Sequence, residues 1–331
     1  MISGNIKRYL PGMCAALLLF CGGCARLSPA QSQRTGLEPN QDHGQESDTE
    51  WEMHITEETL QLPGFQGEYD ILFLTDTHVV IQDETDSPQE AAEGAARQAE
   101  FRNTEGVSAA EQFKDWIDYA NEQGMDTVLL GGDIIDYPSA GNLDFLEEQL
   151  GRLDMPYLYT PGNHDWTYPW EYMTEFGKEN YLPLLEPYME ENTDIHTWET
   201  EDLLIIAVDN SPGQVSHEAM ERYEELLDTE KPVIVLVHVP FLTQSVLARA
   251  REEWDSGVVI GGGNYGGIYE NDDSKRFVKL TTAEESPVEL MLAGHVHFYD
   301  RDYIDGKKQI LQVVGDAGYH GSAVRLHICG Q

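Results

Sequence analysis

The sequence predicts an α/β fold in which buried strands alternate with amphipathic helices and reactive side chains collect at the strand ends. Two observations carry this. Short apolar runs recur between helix-period segments, and motifs rich in Asp, His and Gly follow directly after those runs. A length of 331 residues accommodates one large α/β domain or two modest ones.

The run from Tyr69 to Thr75 is nearly continuous in apolar residues, as a buried strand requires, and Asp76 falls at its C-terminal end. Phe113, Trp116, Ile117 and Ala120 then share one face of a helix that stops at Gly124. Thr127–Leu130 reads as the next strand, ending at Gly131-Gly132-Asp133, and Leu143, Leu146 and Leu150 mark a second amphipathic helix. A third strand, Tyr157–Tyr159, ends at Pro161-Gly162-Asn163-His164. This order implies right-handed βαβ units and a largely parallel sheet, with ligands beyond the carboxyl ends of its strands. Strand-like runs continue at 203–208, 232–237, 288–292, 310–314 and 323–328, two of them leading straight into histidines. The last of these lack intervening helices and are expected to pair antiparallel in a second sheet.

Three stretches stand outside this scaffold: 79–106, rich in Ala, Glu and Gln; 166–194, rich in aromatic residues; and 241–279, with a helix and a glycine run. Each starts beside a motif, so each is placed to wall the crevice. Gly261–Gly267 has no following Lys-Ser/Thr and is a turn, not a phosphate-binding loop. The aromatics after Trp166 read first as packing beneath a long loop, with substrate stacking as the alternative.

Sixty acidic residues against 20 basic ones give a net charge of -40. Such a surface disfavours stable nucleic-acid binding, which relies on clustered Lys and Arg. A phosphate substrate would need bound cations to reverse the local field.

Lys7 and Arg8 precede an apolar run from Met13 to Phe20, too short to span a bilayer but suited to an export signal. Gly22-Gly23 before Cys24 is similar to a bacterial lipoprotein cleavage site, although Cys21 stands where that site has Leu. The expectation is a signal peptide over 1–23, lipid on Cys24 and a flexible acidic tether over 24–55. The folded domain then occupies 56–331, anchored to the membrane outside the cytoplasm. An ordinary secretory signal or an uncleaved anchor is the alternative. Once the signal is removed Cys329 is the lone thiol of the folded part, so any metal must be held by His, Asp and Asn.

The motifs Asp76-Thr77-His78, Gly132-Asp133-Ile134-Ile135-Asp136, Gly162-Asn163-His164-Asp165, Val237-His238 and Gly294-His295-Val296-His297 together resemble the calcineurin-like metallophosphoesterase superfamily, here as an exported bacterial member. The resemblance spans residues 69–328, and five ordered blocks make it specific. It implies a four-layer αββα sandwich with two mixed sheets, the metallo-dependent phosphatase fold. It implies two divalent metal ions, Mn, Fe, Zn or Co by the mixed N/O donors. Asp76, His78 and His297 would hold one, and Asn163, His238 and His295 the other, with Asp133 bridging. Hydroxide shared by the ions would attack phosphorus. His164 would assist the leaving group, with Asp136 orienting its ring.

Asp136 has the alternative reading of a helix N-cap. Asp165 is assigned to loop support, and His320 to the border of the site. His43, His54, His196, His217 and His327 are assigned to surface or hydrogen-bonded positions. Tyr137 replaces the Arg of Ser/Thr protein phosphatases, and Asp136 stands where purple acid phosphatases have a tyrosine ligand. The function implied is hydrolysis of a small phosphate mono- or diester. The alternatives are a cell-envelope or phospholipid phosphodiesterase and a non-catalytic binding scaffold; the completeness of the seven ligands argues against the scaffold.

Overall fold

The computed structural model describes residues 51–171, 173–190 and 192–331. The expected signal peptide, Cys24 and most of the tether, with His43 and Tyr172, lie outside them.

Eleven strands form two sheets among the described residues. The first has the order β1 (His54–Leu62), β11 (Ser322–Gly330), β2 (Glu68–Leu74), β3 (Thr127–Leu130) and β4 (Tyr157–Tyr159). The second runs β5 (Ile195–Glu199), β6 (Leu204–Val208), β7 (Val233–Leu236), β8 (Val288–Ala293), β10 (Ile310–Val314) and β9 (Asp300–Ile304). Period-two alternation sorts the side chains of each strand between two layers. Ile71 and Phe73 of β2, with Leu129, face Ile205, Ile234, Leu236 and Leu290 in the layer between the sheets. Leu72, Leu74 and Leu130 instead meet Phe113, Trp116 and Ile117 of α2 (Ala109–Gln123). On the far side, Ile206 and Val235 pack with Tyr223 of α5 (His217–Leu226) and Phe277 of α7 (Asp272–Thr281). The result is the αββα sandwich.

Helix starts follow local chemistry. Ser108 caps α2 in a capping box with Glu111, and Gly124 ends it in the left-handed conformation at φ 64°. Ser139 caps α3 (Ala140–Leu150). The stretch 79–106 contains a helix, α1 (Pro88–Glu100), opened by a Ser87/Glu90 capping box with Pro88 at its first position. That signature is legible in the sequence, although the segment has no strong apolar periodicity. The 166–194 stretch contains α4 (Glu175–Tyr181), and 241–279 contains α6 (Gln244–Glu253) and the start of α7.

Four expectations are corrected. The runs at 203–208, 232–237 and 288–292 do not extend the first sheet but start a second one, mutually parallel. Ile310–Val314 also runs parallel there, beside β8, and only β5 and β9 are antiparallel in that sheet. The last strand, β11, returns to the first sheet, antiparallel to β2 and parallel to β1. An apolar run records that a strand is buried, not which neighbour it pairs with. The tether expected to end at 55 also gives way earlier: Trp51 donates its indole N–H to Asp115 at 2.6 Å and packs edge-on against Trp116. His196 is buried in β5, and burial pushes its pKa down to about 4.

Candidate metal centre

The C-terminal ends of β2, β3 and β4 in one sheet and of β7 and β8 in the other meet along one crevice. β2 delivers Asp76 and His78, β3 Asp133 and β4 Asn163. β7 delivers His238, and β8 delivers His295 and His297. In each of two triads, Asp76, His78 and His297, and Asp133, His238 and His295, the ligand-capable atoms lie within 4.8 Å of one another. A third, His78, Asp133 and His164, links them.

The backbone is strained to make this cluster. Among the described residues seven non-glycine positions have positive φ, and five are Asp76 (52°), His78 (48°), Asp133 (52°), His295 (73°) and His297 (57°). Each costs about 1–3 kcal/mol, so five in one place indicate that geometry at this site outweighs local comfort. Glycines allow the close approach. A Cβ on Gly132, at φ 89°, would come within 2.6 Å of Gly162 N and of His238 Nδ1. One on Gly162 would collide with the Asp133 amide and carboxylate.

Hydrogen bonds leave a defined set of donor atoms for a cation. His238 Nδ1 is 2.8 Å from the Gly131 carbonyl, which fixes the tautomer with Nε2 free. That Nε2 stands 3.2 Å from Asp133 Oδ2 yet makes no well-directed hydrogen bond. His78 Nδ1 contacts Asp136 Oδ1 at 3.0 Å and His297 Nδ1 contacts the Tyr319 hydroxyl at 3.2 Å. Their Nε2 atoms therefore face each other at 3.2 Å, near Asp76 Oδ1, which is 3.4 Å from His297 Nε2. Asn163 Oδ1 is buried without a partner. Leaving such an acceptor unmade costs about 1–3 kcal/mol. Unpaired acceptors and facing imidazoles of this kind fit divalent cations ligated by N and O atoms.

Charge is tuned to match. Burial works against ionisation of Asp76, but the His297 contact holds its pKa at about 2. Burial lowers His78 to about 4 and His295 to about 3, so both are neutral. Against its own burial, His238 is drawn up to about 10 by the Asp133 carboxylate. A metal cation would take that proton's place.

Asp165 supports the loop, as expected. Its carboxylate accepts N–H bonds from Asp133 (2.9 Å), Gly162 (2.7 Å), Ile134 (2.9 Å) and Ile135 (3.0 Å). Asp136 contacts His164 Nδ1 at 3.0 Å, and no helix begins at it, so the N-cap reading fails. His164 is partly exposed and its own N–H bonds Asp133 Oδ1 at 2.7 Å. Burial would lower its pKa, but Asp133 and Asp136 outweigh that and raise it to about 9.

Four neighbours are absent from the sequence motifs. Arg97 of α1 forks onto Asp136, and Phe101 stacks on His78 at 4.4 Å. Tyr319 reaches His297, and Asn210 Oδ1 accepts the N–H groups of His238 and Val239. Of these only Tyr319 had a signal, in the Gly318–Gly321 segment where His320 drew attention. His320 instead bonds Asp316 at 2.9 Å. It borders a cleft of about 590 Å³ that opens beside His297, with Trp254, Arg249 and Tyr319 along it. Part of the aromatic stretch packs as expected, with Trp166 buried and bonded to Ser211 and Tyr168 and Trp170 4.8 Å apart, whereas Phe176 is exposed.

A family model described as calcineurin-like phosphoesterase matches residues 69–299. Among solved structures, a dimetal phosphatase from Danio rerio is 10% identical, covering 76% of this chain and 88% of its own, with a TM-score of 0.48. A purple acid phosphatase from yellow lupin (Lupinus luteus) seeds is 15% identical, covering 78% of this chain and 45% of its own, with a TM-score of 0.50. No curated protein matches the chain.

Proposed function

Because the chain belongs to the calcineurin-like phosphoesterase family, a family of phosphoric ester hydrolases that use divalent metal ions, we propose that it hydrolyses a small phosphate mono- or diester at a dinuclear centre. The observation that carries this reading is the pair of triads near Asp133, with Asn163 Oδ1 and His238 Nε2 left buried and unbonded. Asp76, His78 and His297 would hold one ion, and Asn163, His238 and His295 the other, with Asp133 between them. The cations supply Lewis acidity toward a phosphoryl group and lower the pKa of water.

The chain's own residues do the rest. Asp136 holds the His164 ring through Nδ1, leaving Nε2 to deliver a proton to the departing oxygen. A pKa raised to about 9 keeps His164 protonated near neutrality, and cations beside Asp133 would lower it from there. The cleft next to His297 is where the organic part of the ester would lie, against Trp254 and Tyr319. Export, with lipid on Cys24 and a site held near the membrane, is part of this reading. It rests on the pattern of residues 1–24.

Protein reconstituted separately with Mn, Fe, Zn and Co should hydrolyse activated aryl esters in a screen of mono-, di- and cyclic phosphates and lipid headgroups. Asp133→Ala and Asn163→Ala should each abolish turnover and lower the metal bound per chain. Full rate in either variant overturns the assignment. Cys24→Ser should move the protein from the membrane fraction to the soluble one, and unchanged fractionation contradicts the anchor.

A further inference from the structure

We infer that Arg97 is a positioning residue for the leaving-group acid, and that helix α1 serves to brace Asp136; this rests on the phosphoesterase reading above. Asp136 is fully buried, and its two oxygens are used unequally. Oδ1 meets three partners, His78 Nδ1 and His164 Nδ1 at 3.0 Å each and Arg97 Nη2 at 2.8 Å. Oδ2 has one, Arg97 Nε at 2.6 Å.

A carboxylate turns easily about its last torsion. Two imidazoles converging on one oxygen do not fix the plane of the group. A guanidinium that takes both oxygens does, because its donors form a rigid fork. Arg97 therefore decides where Oδ1 points, and through it where the His164 ring stands. Mere docking of α1 would not need this fork. Gln98 Nε2 bonded to the Val80 carbonyl at 2.8 Å already ties the helix down.

Arg97 is held in turn. Its guanidinium lies 4.6 Å from the centre of the Phe101 ring, and Phe101 stacks on His78 with 12° between the planes. One helix end thus touches His78 directly through Phe101 and indirectly through Arg97 and Asp136. On its solvent side Arg97 pairs with exposed Glu100 at 3.2 Å, a contact that does not reach the site.

The test compares wild type, Arg97→Ala, Arg97→Lys, His164→Ala and the Arg97→Ala/His164→Ala double variant at saturating metal, on esters of graded leaving-group basicity. Arg97→Ala should slow esters with poor leaving groups at least about tenfold more than activated ones. Arg97→Lys should behave likewise, since an ammonium keeps the charge but not the fork. The double variant should be no slower than His164→Ala. Equal slowing across leaving groups, or additive losses, overturns the proposal, and Glu100→Ala should change nothing.

A second readout needs no turnover. In metal-free protein with nitrogen-15 histidine, wild type should show hydrogen-bonded Nδ1 protons for His78 and His164. Arg97→Ala should lose or shift that of His164, and unchanged signals overturn the proposal. If wild type hydrolyses none of the esters, the functional reading fails while this measurement still decides the role of Arg97.

Discussion

At Asp133 one carboxylate serves two neighbourhoods: Oδ2 stands 3.2 Å from His238 and 3.9 Å from His78, while Oδ1 accepts the His164 amide. Its Oδ2 thus stands between the two clusters, where the proposed reading would put a bridging ligand. On the proposed reading His164 would carry a separable task. His164→Ala should keep the metals but slow poor leaving groups about 10²–10⁴-fold, with a smaller loss on activated esters. Uniform slowing would remove His164 from the role of acid. His196, away from the crevice on β5, reports on burial alone. Its folded pKa of about 4 lies below the unfolded value of about 6.5. Stability from the neutral ring is therefore full above pH 6.5 and is lost as pH falls toward 4, by about 3 kcal/mol. Denaturant titrations of His196→Leu and wild type should diverge by that amount across this window, and parallel curves would show that the ring is not buried.

The elements matter through their ends. β3 and β8 stop where a motif glycine begins or within one residue of it, and after β2, β3 and β8 the chain turns through positive φ to aim side chains into the crevice. Gly162→Ala places a methyl group against backbone and carboxylate of Asp133. It should destabilise the fold by more than about 2 kcal/mol and lower metal content, as read by thermal melts and metal analysis. A variant that melts and binds metal like wild type would show that the close approach is not required. The helices were partly visible in advance. α2 and α3 follow apolar periodicity, whereas α1 buries only Gly94, leaves its five alanines exposed and shows itself only through the Ser87-Pro88-Gln89-Glu90 start. Its importance lies in Arg97 and Phe101, which no motif singles out, because their partners are 39 residues and 23 residues away along the chain.

Across the whole molecule, the candidate ligands come from two sheets to one crevice, so metal binding there would couple the halves of the sandwich. Removing metal with a chelator should lower the melting temperature by about 5 °C or more. At metal 100-fold above Kd each site contributes about 2.7 kcal/mol, which a domain of this size converts to several degrees. An unchanged melting curve would mean that the cations do not bind the folded state preferentially. The net charge of -40 acts at the same scale, since bound cations would make the crevice of so acidic a protein attractive to phosphate.

The sequence alone determined the identities of the donors, their order, and their placement at strand ends. These are local properties: an apolar run makes a strand, a glycine permits a sharp turn, and His or Asp follows it. The sandwich and the ligand division came from the family resemblance, and the two packed sheets bear out the sandwich. Tertiary structure decided which strands share a sheet, that β11 crosses back beside β2, and that Arg97, Tyr319 and Asn210 contact Asp136, His297 and His238. Those contacts join residues as far apart as Glu68 and Cys329, with 261 positions between them. Sheet order and packing set them, and local pattern along the chain does not encode which distant surface a side chain will meet.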